Sequence, residues 1–240
     1  MASNTKTLTD SMNWAMWFVG NRSFAPNSPT SLEPALTSGN IIQQTMLQPP
    51  FSWRWNRATA TFNTALNTSS YVVNLPQFGF IEKASVVDGS GSTFEIPNIT
   101  TKILTDKSVD RPTTICPALD DNNGNITFQF LPGLQDQVYI DNLLYQKKPV
   151  LFTNLTTAWT IPDEYGYVYD WGFLALFLLF ANTGDNRAFA ANQKFVANLL
   201  ALQEGLTEQQ KAIFLGEWDF LLRAISSQTN QQLGLTGRQS

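Results

Sequence analysis

The spacing of apolar residues divides this chain into helical, strand-like and again helical stretches. Between Leu8 and Val19, Met12, Trp14, Met16, Trp17, Phe18 and Val19 cluster behind Thr9 or Asp10, either of which suits a cap, and this predicts a first helix. Asn21 to Pro34 is rich in Pro and Ser and reads as a loop. A short helix is expected from Asn40 to Leu47, stopped by Pro49 and Pro50.

From Trp53 to Thr160 the pattern shortens to the period of strands. Trp53-Arg54-Trp55-Asn56-Arg57 alternates, and Ala58 to Leu66 continues with Thr and Phe. Further strands are expected at Tyr71–Leu75, Phe80–Val87, Ser92–Ile96, Ile99–Leu104, Ile126–Phe130, Gln137–Tyr145 and Val150–Phe152. Asp88-Gly89-Ser90-Gly91 marks a hairpin, and Asp120 to Gly124 a turn. Many short strands at regular spacing predict an antiparallel β-sandwich or barrel.

The helical period then returns. Pro162 suits a helix start, and Asp163 and Glu164 favour its dipole. That helix should reach about Asn182 and contains the apolar run Trp171–Ala181, too short for a bilayer and read as a buried core helix. A second helix is expected from Asn186 to about Gln203, with Ala188, Ala191, Phe195, Leu199 and Leu202 on one face. A third begins at Thr207, where Thr207 and Gln210 match a capping box, and buries Ile213, Phe214, Trp218, Leu221, Leu222 and Ile225. The polar segment 226–240 reads as a flexible tail. The expected organisation is α+β. Residues 1–50 and 161–225 form a helical bundle (the N-terminal helix plus three C-terminal helices), and residues 51–160 form an inserted β-domain.

Composition narrows the function. Only 14% of the 240 residues are charged, and seven Trp and seventeen Phe suit burial against a core or partners. A net charge of −4 argues against a binder of nucleic-acid phosphates. From Pro162 to Ile225 there are eight acids (Asp163, Glu164, Asp170, Asp185, Glu204, Glu208, Glu217, Asp219) against four bases (Arg187, Lys194, Lys211, Arg223). The remainder carries eleven of each, so the whole negative balance falls in the helical segment.

Catalytic chemistry finds little footing. The chain has no His and one Cys, which removes His-dependent nucleophilic triads, His metal sites and disulfides. Cys116 reads as a buried inert thiol. The pairs Asp120-Asp121 and Asp163-Glu164 sit in a turn and at a helix start, and sequence neighbours do not face each other across a cleft. Asp120 to Gly124 fails as a calcium loop, because Leu119 falls at the first ligand position. Lys147-Lys148 reads as a solvated tip, and Gly89-Ser90-Gly91 lacks the pattern of a nucleophile elbow. No signal-peptide pattern opens the chain, so its five N-x-[ST] sequons reflect composition. No catalytic, cofactor or metal residues are assigned.

One resemblance concerns the order of segments. Trp53-Arg54-Trp55-Asn56-Arg57, the Thr-rich stretch after it, Tyr71-Val72-Val73-Asn74-Leu75-Pro76 and Phe80-Ile81-Glu82-Lys83-Ala84 resemble a pattern in head-to-tail adaptor proteins of tailed bacteriophages, of the tail tubular protein A type. Ile161-Pro162-Asp163-Glu164-Tyr165 and Leu202-x-x-Gly205-Leu206-Thr207 are similar to that family's helical return; 97–132 departs from it. The resemblance implies a non-enzymatic virion protein without cofactor, assembled in the host cytoplasm at the head-tail junction. It implies a ring of copies, typically a dodecamer, under the portal protein. That ring would meet downstream tail proteins, without a membrane, and pass viral DNA through its lumen without sequence-specific binding. By the same resemblance the tail, with Gln231, Leu233, Leu235 and Arg238, is a candidate partner-binding segment. The acidic helical segment is expected to line the channel and repel phosphates. Alternatives are another virion component (minor capsid, stopper or fibre-base protein), a carbohydrate-binding β-domain stacking sugars on Trp53 and Trp55, or an unrecognised hydrolase.

Overall fold

In a computed structural model, residues 4–20, 34–99, 107–181, 186–203 and 205–236 are described. They form an α+β protein with five α-helices and two antiparallel sheets. The chain divides into two compact units, one of residues 1–46 with 149–240 and the other of residues 47–148.

The first unit begins with α1 (Leu8–Phe18). Its cap is Thr7, two positions before the Thr9 expected, and Thr7 and Asp10 bond each other's backbone in a full capping box. The buried residues Leu8, Ser11, Met12 and Ala15 follow helical spacing. Helix α2 (Ala35–Leu47) starts five residues before the expected boundary, because Ala, Leu, Thr and Ser offer no break after Pro34. Pro162 precedes a 3-10 turn, Asp163–Tyr165, which leads into α3 (Gly166–Ala181). Among the described side chains of α3, Val168, Phe173, Leu174 and Leu176 are fully buried, as the apolar run required.

Helix α4 (Asn186–Ala201) buries Ala188, Ala191, Phe195 and Leu199. Helix α5 (Glu208–Thr236) opens on the Thr207–Gln210 capping box. It buries Phe214, Trp218 and Ile225, whereas Ile213, expected inside, is exposed. The helix also continues through most of the segment expected to be a flexible tail. Nothing between Ser226 and Leu233 breaks a helix: there is no Pro, and the first Gly is Gly234. Gly172 allows α3 to be approached closely. A Cβ there would lie 2.6 Å from Ile42 Cδ1 and 2.7 Å from Phe195 Cδ2.

Residues 150–163 belong to this unit and are stitched to its N-terminal residues. Leu8 and Thr9 donate to the carbonyls of Thr157 and Leu155, and Trp159 N donates to Lys6 O. The Asp163 carboxylate accepts from Thr5 N, Thr5 Oγ1 and Lys6 N. Asn40 of α2 exchanges two hydrogen bonds with the Phe152 backbone, and Gln43 bonds Val150 O and Thr160 N. Val150–Phe152 is therefore not the expected strand, since side chains of α2 and Thr160 take up its backbone.

The second unit contains β1 (Arg57–Asn63), β2 (Ser70–Asn74), β3 (Phe78–Val87), β4 (Thr93–Ile96), β5 (Thr114–Asp120), β6 (Asn125–Leu131) and β7 (Ile140–Lys147). One sheet has the order β1-β7-β3-β4 and the other β2-β6-β5. One apolar cluster draws on both, with Ile81, Val86 and Leu143 from the first and Tyr71, Phe128 and Phe130 from the second. Strand β5 was not expected, because Pro117 and the polar residues around Cys116 hide its alternation; Ile115 and Cys116 are buried. Residues 100–104 of the strand expected at 99–104 lie outside the described residues. The Asp88–Gly91 hairpin joins β3 to β4, with the Asp88 carboxylate accepting from the Ser90 and Ser92 amides. Gly124, at φ +91, ends the turn before β6 with only 2.8 Å from an ideal Cβ to Pro76 Cα.

Trp53–Arg57 is not a strand. Arg54–Asn56 forms a 3-10 turn and the strand begins at Arg57. The reason is a buried glutamine. Gln146, fully buried on β7, accepts from Trp53 N at 3.1 Å and donates to Trp53 O and to Glu82. Trp53 and Asn56 are thereby held inward, and Asn56 donates to Lys147 O. Arg57 in turn pairs with Glu82, holding its carboxyl below the usual range.

Three outcomes follow for stability. Gly172→Val overpacks the α3 contact and should cost about 1–3 kcal/mol in denaturant unfolding. Gln146→Leu strands the Trp53 backbone and should cost about 2–4 kcal/mol, seen in the tryptophan fluorescence of urea unfolding. The depressed Glu82 contributes stability that is complete above its ordinary value of 4.5 and lost as pH falls through its lowered value. Glu82→Gln should therefore flatten part of the acid limb of the stability profile.

Candidate interaction surface

The acids singled out in the sequence are engaged with their own backbone. Asp121 accepts from Asn123 N, Asn125 N and Asn125 Nδ2, which lowers its carboxyl pKa, and Asp120 accepts from Asn122 N and Lys148 Nζ. Lys148 is thus paired at 3.3 Å rather than simply solvated. Cys116 is buried. Among the described residues no group of three or more Cys, Asp or Glu side chains could hold a metal ion. No helix among them is long and apolar enough to cross a membrane.

The burial of two acids was not read from the sequence. Asp170 pairs with Lys6 and accepts from Ser11 Oγ at 2.9 Å, and Ser11 accepts from Trp159 Nε1 at 3.0 Å. Burial raises the Asp170 pKa in spite of Lys6. The Tyr169 ring stacks on Trp159 at 4.2 Å, and burial drives its phenol well up. This cluster ties α1 to α3 from the inside. The other acid, Asp141 of β7, has no exposed surface, and neither carboxyl oxygen has a hydrogen-bond partner. Desolvation raises its pKa to about 8. Neither acid carries a sequence signal: Asp141 stands in an ordinary strand pattern, and Asp170 within a helix.

The outer surface of the helical unit is apolar to an unusual degree. Trp17 is 73% exposed and Phe220 is 75% exposed, and Phe18, Tyr167, Phe189, Ile213 and Leu215 are also solvent-facing. Trp17 points away from the buried face of α1, while Trp14 and Phe18 pack edge-on against Trp171 at 5.2 and 5.3 Å. Lys194 lies 4.2 Å over the Trp171 ring. On α5, Ile213 and Phe220 stand seven residues apart, with Gly216 and Ala224 on the same side. A groove between α4 and α5, lined by Asn192, Val196, Leu215, Trp218 and Leu222, flanks that helix on the other side. Large apolar side chains left in water on four helices of one unit mark a candidate interaction surface.

The acidic segment is thinner on the surface than in the sequence. Asp163 and Asp170 are engaged internally, and Asp185 and Glu204 lie outside the described residues. Glu164, Glu208, Glu217 and Asp219 are exposed, two of them paired with Lys211 and Arg223. Of the candidate partner-binding residues, the backbone of Gln231, Leu233 and Leu235 belongs to α5, their side chains are outside the described set, and Arg238 lies outside the described residues. The sugar-stacking role for Trp53 meets a structural obstacle, since the side chain is only 4% exposed.

Trp17→Ser and Phe220→Ser each remove exposed apolar area without touching a core. Melting should stay within about 0.5 kcal/mol of the parent while binding of a hydrophobic dye falls. Compared with known proteins, the chain matches no family model, and no curated protein matches it in sequence.

Proposed function

We propose that this chain is a structural, non-catalytic subunit of a tailed-bacteriophage virion, one copy in a ring at the head-to-tail junction. In this reading the helices make a bundle into which an antiparallel β-sandwich is inserted. The ring, a dodecamer, binds the portal protein above and tail proteins below, and lets viral DNA through its lumen. The carrying observation is the order of the two units. The helices of residues 1–46 and 149–240 belong to one unit and the seven strands of residues 47–148 to the other. That nesting is what the resemblance in Trp53–Val87 and Thr160–Ile225 implies. The exposed aromatic residues on α1, α4 and α5 add support, since assembly proteins need apolar surface that their partners cover.

Native mass spectrometry of the chain co-expressed with the portal protein encoded near it tests the reading. The expected result is an intact portal ring carrying one copy of this chain per portal subunit. An intact portal ring with none bound sinks it and turns attention to another virion component. The lumen reading has its own test. Replacing Glu208, Glu217 and Asp219 by lysine should slow genome ejection from reconstituted particles, because phosphates would then be held by the wall. Unchanged ejection kinetics would remove these acids from the channel.

A further inference from the structure

Asp141 is a carboxyl where the fold would be better served by an apolar residue. It follows Tyr139, the residue before β7 begins, by two positions and precedes Leu143 and Tyr145 on the inward face of β7, and these three belong to the apolar cluster shared by the two sheets. Its register partners are Phe62 of β1 and Val86 of β3, both apolar. Its oxygens meet no hydrogen-bond donor, although a buried polar atom left unpaired ordinarily costs about 1–3 kcal/mol, and more if charged.

The surroundings offer no counter-charge. Strand β4 contributes Phe94 and Ile96, and strands β5 and β6 contribute Ile115, Ile126, Phe128 and Phe130. The titratable groups of the cluster are the phenols Tyr71, Tyr139 and Tyr145. The charges at its rim are engaged elsewhere: Arg111 lies over the Phe94 ring, Asp136 accepts from Tyr139, and Glu95 pairs with Lys83. Burial raises the Tyr71 pKa, and a negative charge on Asp141 adds to that rise. The Tyr71 hydroxyl is the pin of that end of the unit. It bonds the carbonyls of Ala65 and Thr68, accepts from Ala65 N and meets the buried Gln135 side chain. Next to it, Thr64 N donates to Tyr139 O, and Tyr139 N donates to the Thr64 hydroxyl.

We propose that Asp141 is a proton-operated lock on the β unit: as the neutral acid it lets the two sheets close over it, and as the carboxylate it loosens the end pinned by Tyr71 and Gln135. The lock is independent of whether the chain is a ring subunit. Its direction follows from linkage. The carboxyl titrates near its ordinary value of 3.8 when the unit is open and at about 8 when closed. The closed form therefore holds the extra proton between these values. Its advantage is full below the first, shrinks as pH rises, and reaches its minimum above the second.

Hydrogen–deuterium exchange of the full chain, corrected for the intrinsic pH dependence of exchange, reads the lock directly. Protection of β1 and β7 amides should fall by up to about tenfold per pH unit across that window in the parent chain. In Asp141→Asn the β1 and β7 protection should stay level. A second measurement needs no variant. Infrared spectra of the chain with carbon-13 aspartate should show a protonated carboxyl band persisting at neutral pH and vanishing as pH passes the raised value. Absence of that band at neutral pH, or the same pH slope in parent and variant, overturns the lock.

Discussion

The helical unit depends on closing a very long loop. The chain leaves this unit at Met46 and returns at Pro149, so α1 and α2 must find α3 to α5 across the whole β unit. The closure is made by hydrogen bonds as well as by packing. The backbones of Lys6, Leu8 and Thr9 bond those of Trp159, Thr157 and Leu155, and Asp163 gathers the amides of Thr5 and Lys6. The entropy of closing a loop grows only slowly with its length, so a large insertion between these ends is tolerated once they are tied. The set Lys6, Ser11, Trp159 and Asp170, buried except for the half-buried Lys6, then fixes the angle at which α1 meets α3, because each member satisfies another.

The β unit solves a related problem by a single glutamine. Gln146 stands in the place of a backbone partner for Trp53, and so turns what reads as an alternating strand into a 3-10 entry to β1. One consequence is that the Trp53 indole is committed to the interior and is not a platform for a ligand. The buried polar atoms around Tyr71, Thr64 and Gln135 are paired with one another. Against that background the unpaired Asp141 carboxyl stands out, and the raised pKa is the physical expression of its isolation.

Exposure tells the complementary story for the helices. Polar cover would be the ordinary outer face of α1, α4 and α5, yet Trp17, Phe189, Ile213 and Phe220 are left in water. The low share of charged residues, 14%, goes with that apolar exposure.

Much of the architecture was legible in the sequence alone because local signals and burial agree there. The apolar run in α3, the one-sided pattern of α4, the capping box of α5 and the Asp-Gly hairpin each identify their element without reference to the rest of the chain. What was misread depended on partners distant in sequence. Val150–Phe152 is no strand because Asn40 and Thr160 claim its backbone, and Trp53–Arg57 is none because Gln146 does. Strand β5 exists because β6 pairs with it, not because its residues favour a strand. The surface and the lock were decided at this level too. A helix pattern does not say which aromatic residue its neighbours leave uncovered, and an aspartate in a strand is ordinary until two sheets close over it and supply no donor.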